Sequence, residues 1–280
     1  MIDLLGLISA DKNVNVMLKN EQMFRILIVI PTLGERLDTL DRTLRSIEDQ
    51  ADVLVDTILV TKLKTPVLSA LADQYNASII VHPGNISAAI NAGFKQASET
   101  HKYANWIGDD DMLKPNALAL ASTLLEDNPS AVVAYGACDY IDRNGNPLFT
   151  RRPPLAAPML LQFVPGLIKQ EACLFRRSAL QQIGDLDEKL KYTMDLDLLL
   201  RMRRIGSFVK TDQILAGFCW HAGSLTIANR KASLEEAQNV QLSHMRGMSR
   251  ILNPLWKYPI KYLILIMNYI INNRVPKDNK

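Results

Sequence analysis

The sequence predicts an α/β fold on a parallel sheet with crossover connections, and three observations carry that reading. Strand-like runs recur at 25–30 (RILIVI), 55–61 (VDTILVT), 78–82 (SIIVH) and 104–108. The first is continuously apolar, as a strand covered on both faces must be. Stretches of helical spacing separate these runs, and strands alternating with helices at this interval argue for βαβ units. The chain is also long enough to bury a sizeable core, at 280 residues with 48 % hydrophobic and 22 % charged. That is an ordinary globular balance, enough for one large domain or two small ones.

The elements follow in order. Residues 1–23 read as an appendage of undefined structure, and the strand at 25–30 opens the domain. Leu37, Leu40, Leu44 and Ile47 fall on one helical face, so 36–50 is an amphipathic helix. Helices at 66–75, 86–99 and 115–126 alternate with the next three strands, the last of them opened by Pro115. After Pro129 the pattern changes: a strand at 131–140 is followed by Asn144-Gly145, a strong turn signal. Residues 150–170 contain Pro153, Pro154, Pro158 and Pro165 with little periodicity, and read as a loop lining something. A strand at 171–176 precedes a short helix capped by Ser178 and ended by Gly184. A helix at 194–204 closes at Gly206, strands occupy 207–220, and beyond Ala228 the chain is helical with apolar and basic residues mixed. There is no internal repeat.

Charge and cysteine usage exclude several classes. A net charge of +3 gives no case for nucleic-acid binding. Cys138, Cys173 and Cys219 lie far apart in apolar stretches without a CxxC pair, which fits buried free thiols in a reducing compartment rather than zinc. Met1 to Ala10 lacks a basic leader and carries Asp3, so it is a poor signal peptide. No window reaches the roughly 18–20 apolar residues of a spanning helix. The expected location is cytoplasmic.

Chemistry concentrates at Asp109-Asp110-Asp111, immediately after the strand at 104–108. Crowded carboxylates repel unless a cation neutralises them, and hard oxygen ligands suit Mg²⁺ or Mn²⁺. The competing reading is that they favour the positive end of the following helix. Ligands of open α/β sheets bind beyond the carboxyl ends of the strands. Pro31-Thr32, the turn at Thr61-Lys62 and the aspartates all fall there, so one crevice collects them.

Four segments then resemble the family-2 glycosyltransferases of the GT-A fold, over roughly 24–226. They are IVIPTLGERLDTLDRTLRSIEDQ (28–50), GNISAAINAGFKQA (84–97), WIGDDDMLKPNAL (106–118) and IKQEACLFRRSALQQIGDLDEKLKYTMDLDLLLRM (168–202), the last followed by WHAGSLT (220–226). The resemblance implies a mixed, mostly parallel Rossmann-like sheet flanked by helices. It divides the domain at 24–228 into a nucleotide-binding half (24–130) and an acceptor half (131–228), with a helical segment at 229–280. It further implies a sugar-nucleotide donor, Mn²⁺ or Mg²⁺, and a single displacement that inverts the anomeric centre, in a hexosyl- or deoxyhexosyltransferase. By position in the matching motifs, Pro31, Thr32, Glu35, Arg36, Thr61, Asn85, Asn91 and Asp109 to Asp111 belong to the nucleotide site, and Asp110, Asp111 and His221 to the metal. Arg36 is a candidate for phosphate or a solvated first-turn residue. Asp195 matches the family's base, which takes the acceptor hydroxyl's proton, while Asp197 pairs with Arg201 or Arg204; the alternative is that both cap the helix. Gln170 and Arg176 fall on the acceptor side, with buried-polar or surface roles as the alternative; His82, His101 and His244 match nothing.

Two departures stand out. The first acid of the commoner D-x-D-D form falls on Gly108, and the turn after the second strand, Val60-Thr61-Lys62-Leu63-Lys64, has no carboxylate to read a base. At the C-terminus, 254–274 combines Trp256, Tyr258, Tyr262 and Tyr269 with Leu, Ile and flanking lysines, and from Arg246 onward seven Lys/Arg face one acid, Asp278. That composition suits the membrane–water interface, against a helix packed on the domain's flank. It fits peripheral contact with the inner face of the plasma membrane and a lipid-linked saccharide acceptor of surface-polysaccharide assembly. Other classes remain: a non-catalytic sugar-nucleotide-binding protein, and a sugar-1-phosphate nucleotidyltransferase, which usually follows its first strand with a Gly-rich loop. A dinucleotide oxidoreductase lacks its GxGxxG here.

Overall fold

The computed structural model describes residues 23–221 and 229–252, with single positions out to 266. The expectations for the N-terminal appendage, for 222–226 and for most of 254–274 lie outside the described residues.

Strand β1 (Phe24–Pro31) is the spine of the first half. It pairs in parallel with β2 (Val53–Thr61) on one side and β4 (Tyr103–Trp106) on the other, and β2 pairs in parallel with β3 (Ser78–Val81). Ile26 to Ile30 are fully buried, which explains why this run is apolar without alternation. Its side chains still alternate between two cores. Ile26, Ile28 and Ile30 pack with α1 (Leu37–Glu48), α2 (Pro66–Gln74) and α4 (Ala117–Asp127). Leu27 and Val29 face the other core, with α3 (Ile86–Phe94), α6 (Arg177–Ile183), α7 (Met194–Met202) and α8 (Arg230–His244). The result is a three-layer α/β sandwich.

The second half adds mixed pairing. β4 runs antiparallel to β8 (Cys173–Arg176), β8 antiparallel to β6 (Ala131–Ile141), β6 parallel to β9 (Ser207–Cys219), and β9 antiparallel to β5 (Met112–Leu113). β7 (Pro147–Arg151) forms a hairpin with β6 around Gly145, whose φ of +87° is the left-handed conformation that the Asn144-Gly145 signal foretold. The sheet order is β3-β2-β1-β4-β8-β6-β9-β5. Chain order reverses between β1 and β4, which opens the crevice where such folds bind ligands.

Several boundaries differ from expectation. Helix α3 stops at Phe94 rather than 99, and α4 starts at Ala117, after Asn116 turns the chain through a left-handed φ of +60°. Part of the proline-containing loop is β7 and a short helix α5 (Ala157–Leu160). Ser178 caps nothing: α6 already begins at Arg177 without a side-chain cap. A 3₁₀ turn (Gln170–Ala172) occupies the start of the strand expected at 171–176. β5 has two residues, too short to show any period.

Candidate active site

The three aspartates form a tight turn whose architecture rests on the third. Asp111 donates its amide to the Gly108 carbonyl (3.3 Å), while its Oδ2 accepts the Gly108 amide at 3.1 Å and its Oδ1 the Cys219 amide at 2.9 Å. Its carbonyl accepts the Thr43 hydroxyl (2.7 Å), so one residue ties the turn to β9 and α1. This arrangement also accounts for Gly108. A Cβ there would lie 2.7 Å from Asp111 Oδ2 and 3.1 Å from Asp110 Oδ1, so an acid at 108 is incompatible with the turn as built.

Asp109 and Asp110 are held by side chains from β1's end, α1 and the segment after β9. The Thr32 hydroxyl, just past β1, donates to Asp109 Oδ2 (2.6 Å), and the Gly34 amide donates back to that hydroxyl (2.9 Å). Arg36 forks across both acids, with Nη2 on Asp109 Oδ1 and Nη1 on Asp110 Oδ2 at 2.5 Å. His221 Nε2 lies 2.8 Å from Asp110 Oδ2 and 3.2 Å from Arg36 Nη1. Burial raises all three carboxyls, but neighbours split them. His221 and Arg36 outweigh burial at Asp110 and hold it below the usual range. Burial wins at Asp109 despite Thr32 and Arg36. Asp111, enclosed and repelled by Glu171 and Asp110, is pushed well above it.

These residues fit a divalent cation. Asp110, His221 and Cys219 offer ligand atoms within 4.8 Å of one another, and the Arg36 guanidinium contacts both Asp110 and His221 as a stand-in cation. Carboxylate oxygen and imidazole nitrogen are both donors that divalent cations accept. The Cys219 thiol, pushed up to about 12 by burial and by Asp110 and Asp111, stays protonated and is a poor ligand. Asp111 spends both oxygens on backbone amides.

Asp195 is the second residue of α7. Burial, opposed by Lys169 and reinforced by Glu171, pushes its carboxyl up to about 6. Lys169 sits 3.4 Å from the Phe218 ring centroid, 5.6 Å from that of Tyr140, and 3.7 Å from Glu171 Oε1. Lys169 and Glu171 act electrostatically on both Asp111 and Asp195, so the two acidic regions share charged neighbours. Asp197 points elsewhere, accepting from Arg201 Nε (2.8 Å) and lying 2.8 Å from His244 Nε2.

Other expected site residues have structural duties. Asn91 is buried and uses its whole amide on Leu186 and Glu188, and Asn85 caps α3 through Ala88 while donating to the Glu188 carbonyl. Both pin the 186–188 segment. Gln170 donates to Asn105 Oδ1 and to the Trp106 carbonyl, each at 2.6 Å, bolting the 3₁₀ turn to β4. Arg176 donates to the carbonyls of Ala131 and Leu125. Pro31 ends β1, Glu35 is exposed beside it, and Thr61 closes its own turn onto Leu63. Sequence reasoning missed Lys169 and Glu171. Their trace was two opposite charges flanking Gln170, just before the apolar run ACLF.

The family model described as Glycosyl transferase family 2 matches residues 27–184, more than half of the chain. The chain belongs to that family. Relatives of this family 2 protein include uncharacterized glycosyltransferases of Rickettsia conorii, 28 % identical over 156 residues (52 % of this chain, 25 % of the relative), and of Rickettsia prowazekii, 28 % identical over 151 residues (51 % and 46 %). The matches thus span a quarter to just under half of those relatives' length. Among solved structures, S. aureus TarS 1–349 in complex with UDP-GlcNAc superposes with a TM-score of 0.61 at 13 % identity, covering 82 % of this chain and 69 % of that one. The same protein with UDP gives 0.59 at 12 % identity, covering 82 % and 68 %. At this identity the likeness establishes the shared fold, that of GT-A glycosyltransferases.

Proposed function

We propose that this family 2 protein is an inverting glycosyltransferase, moving a sugar from a nucleotide diphosphate to a saccharide acceptor by single displacement. The observation that supports the reading is that the acid turn and Asp195 share the charged neighbours Lys169 and Glu171, which act on Asp111 and on Asp195 alike. In this mechanism the acceptor hydroxyl oxygen bonds to the anomeric carbon while the bond to the diphosphate oxygen breaks. Asp195 takes the hydroxyl proton, a task suited to a carboxylate with its affinity tuned to about 6. Asp110 and His221 would hold a divalent cation, which would supply charge neutralisation for the departing diphosphate. Thr32 and Arg36 orient the acid turn. That TarS is solved with UDP and UDP-GlcNAc supports a uridine-type donor, read here without a carboxylate after β2.

The test is hydrolysis and transfer with UDP-, dTDP- and GDP-sugars in Mn²⁺. Asp195→Asn is expected to lose 10²–10⁴-fold in turnover, on the order of a general base's contribution, while still binding nucleotide; Asp110→Asn is expected to lose cation-dependent binding as well. Turnover unchanged by either substitution would overturn the reading, and nucleotide binding without turnover in any form would mark a non-catalytic binding protein.

We also propose that the C-terminal segment touches anionic membrane and brings a lipid-linked acceptor within reach. Exposed Met248, Ile251, Leu252, Leu255, Tyr258 and Tyr262 and the local cationic excess support this. Sedimentation with phosphatidylglycerol vesicles, absent with phosphatidylcholine alone and at high salt, is the expected result; indifference to lipid charge would refute it.

A further inference from the structure

Arg36 is anchored at its backbone and half-exposed along its side chain. Its carbonyl accepts the Leu40 amide (3.0 Å) and the Thr39 hydroxyl (3.1 Å), which fixes it at the start of α1. Its side chain is 46 % exposed, yet the guanidinium engages Asp109, Asp110 and His221 together. These contacts use the same Asp110 oxygen and His221 nitrogen that fit a divalent ion. One site cannot hold both cations, because like charges at contact distance repel and the donor atoms are shared. A guanidinium fork also matches a diphosphate in geometry and charge, and Arg36 stands where the N-terminal end of a helix favours anions.

We infer that Arg36 is an exchangeable counter-cation: it neutralises Asp109 and Asp110 in the donor-free protein and moves to the donor's diphosphate as the divalent ion takes Asp110 and His221. The inference deepens the transferase reading and rests on it. It makes Arg36 a positioning residue that couples two binding events. The cation alone binds weakly because it must displace Arg36; the nucleotide gives Arg36 a new partner and frees the seat. By linkage, cation and nucleotide then strengthen each other equally.

Calorimetric titration of Mn²⁺ alone into the full chain, and of Mn²⁺ into chain saturated with UDP, tests this. In wild type, UDP is expected to tighten Mn²⁺ binding at least about 5-fold, the lower end of typical coupling. Arg36→Gln is expected to bind Mn²⁺ alone about 10-fold tighter than wild type and to lose most of that coupling. Arg36→Lys keeps the charge without the fork and is expected to fall between. If Arg36→Gln binds Mn²⁺ no more tightly than wild type, or wild type shows no coupling, the inference fails. Loss of Mn²⁺ binding in Asp110→Asn would then leave the transferase reading standing. If no form binds Mn²⁺ even with UDP, the inference and the cation's role fall together.

Discussion

Gln50 shows how much a single side chain does for this cleft. It is buried, its amide nitrogen donates to the carbonyls of Ser46 and Lys114 (both 2.9 Å), and its oxygen accepts the Leu118 amide (3.0 Å). Asn116 makes no side-chain cap for α4, so Gln50 satisfies an orphan donor of that helix from a different helix end. Nearby, the Ser46 hydroxyl accepts the Leu113 amide (3.0 Å). Together they set the segment that follows the aspartates. Gln50→Ala would strand a buried N–H and a buried carbonyl, each worth about 1–3 kcal/mol. A loss of about 3 kcal/mol in urea unfolding is expected, and a loss under about 1 kcal/mol would mean that water replaces the side chain. The residue scale is also where sequence reasoning was weakest. Asp109, Asp110 and Asp111 are chemically identical in the sequence, and only the turn assigns Asp111 to backbone amides and Asp110 to His221.

Elements were far more legible than individual side chains, for reasons visible in β1 and α1. The run at Ile26–Ile30 is buried on both faces, and Leu40, Leu44 and Ile47 meet the sheet on one helical stripe, so pattern and burial coincide. Helix α3 was legible only in part, since Ala88, Ala89 and Gly93 carry little hydrophobic contrast. Its small residues have a packing cause: a Cβ on Gly93 would lie 2.4 Å from Val29 Cγ1, so the helix sits close against the sheet. β5 and β7 escaped notice because neither buries a repeating face; β5 spans two residues and β7 is only half-buried. Ser178 misled because a Ser before an apolar helical stretch is a valid cap signal that the chain does not use.

At the scale of the whole molecule, the two halves of the chain meet through charge. The acid turn comes from the parallel half and Asp195 from the mixed half, and the Lys169–Glu171 pair, with Lys169 over the rings of Tyr140 and Phe218, acts on Asp111 and on Asp195. A sequence could name Asp195 by its motif, but not this coupling, because residues 111, 169, 171 and 195 converge only through the order β4-β8-β6-β9. The coupling has a sign that experiment can read. Asp195 acts as base only when deprotonated, so turnover should fall about tenfold per pH unit below its value of about 6. Lys169 favours the carboxylate; Lys169→Met removes that attraction and should move the acid limb of kcat/KM to higher pH. Glu171 disfavours it, so Glu171→Gln should move the limb to lower pH. A purely structural role for the pair would depress the rate at every pH without displacing the limb. Opposed displacements of the two limbs are therefore the expected outcome, and a shared direction, or none, would remove Asp195 from the field of this ion pair.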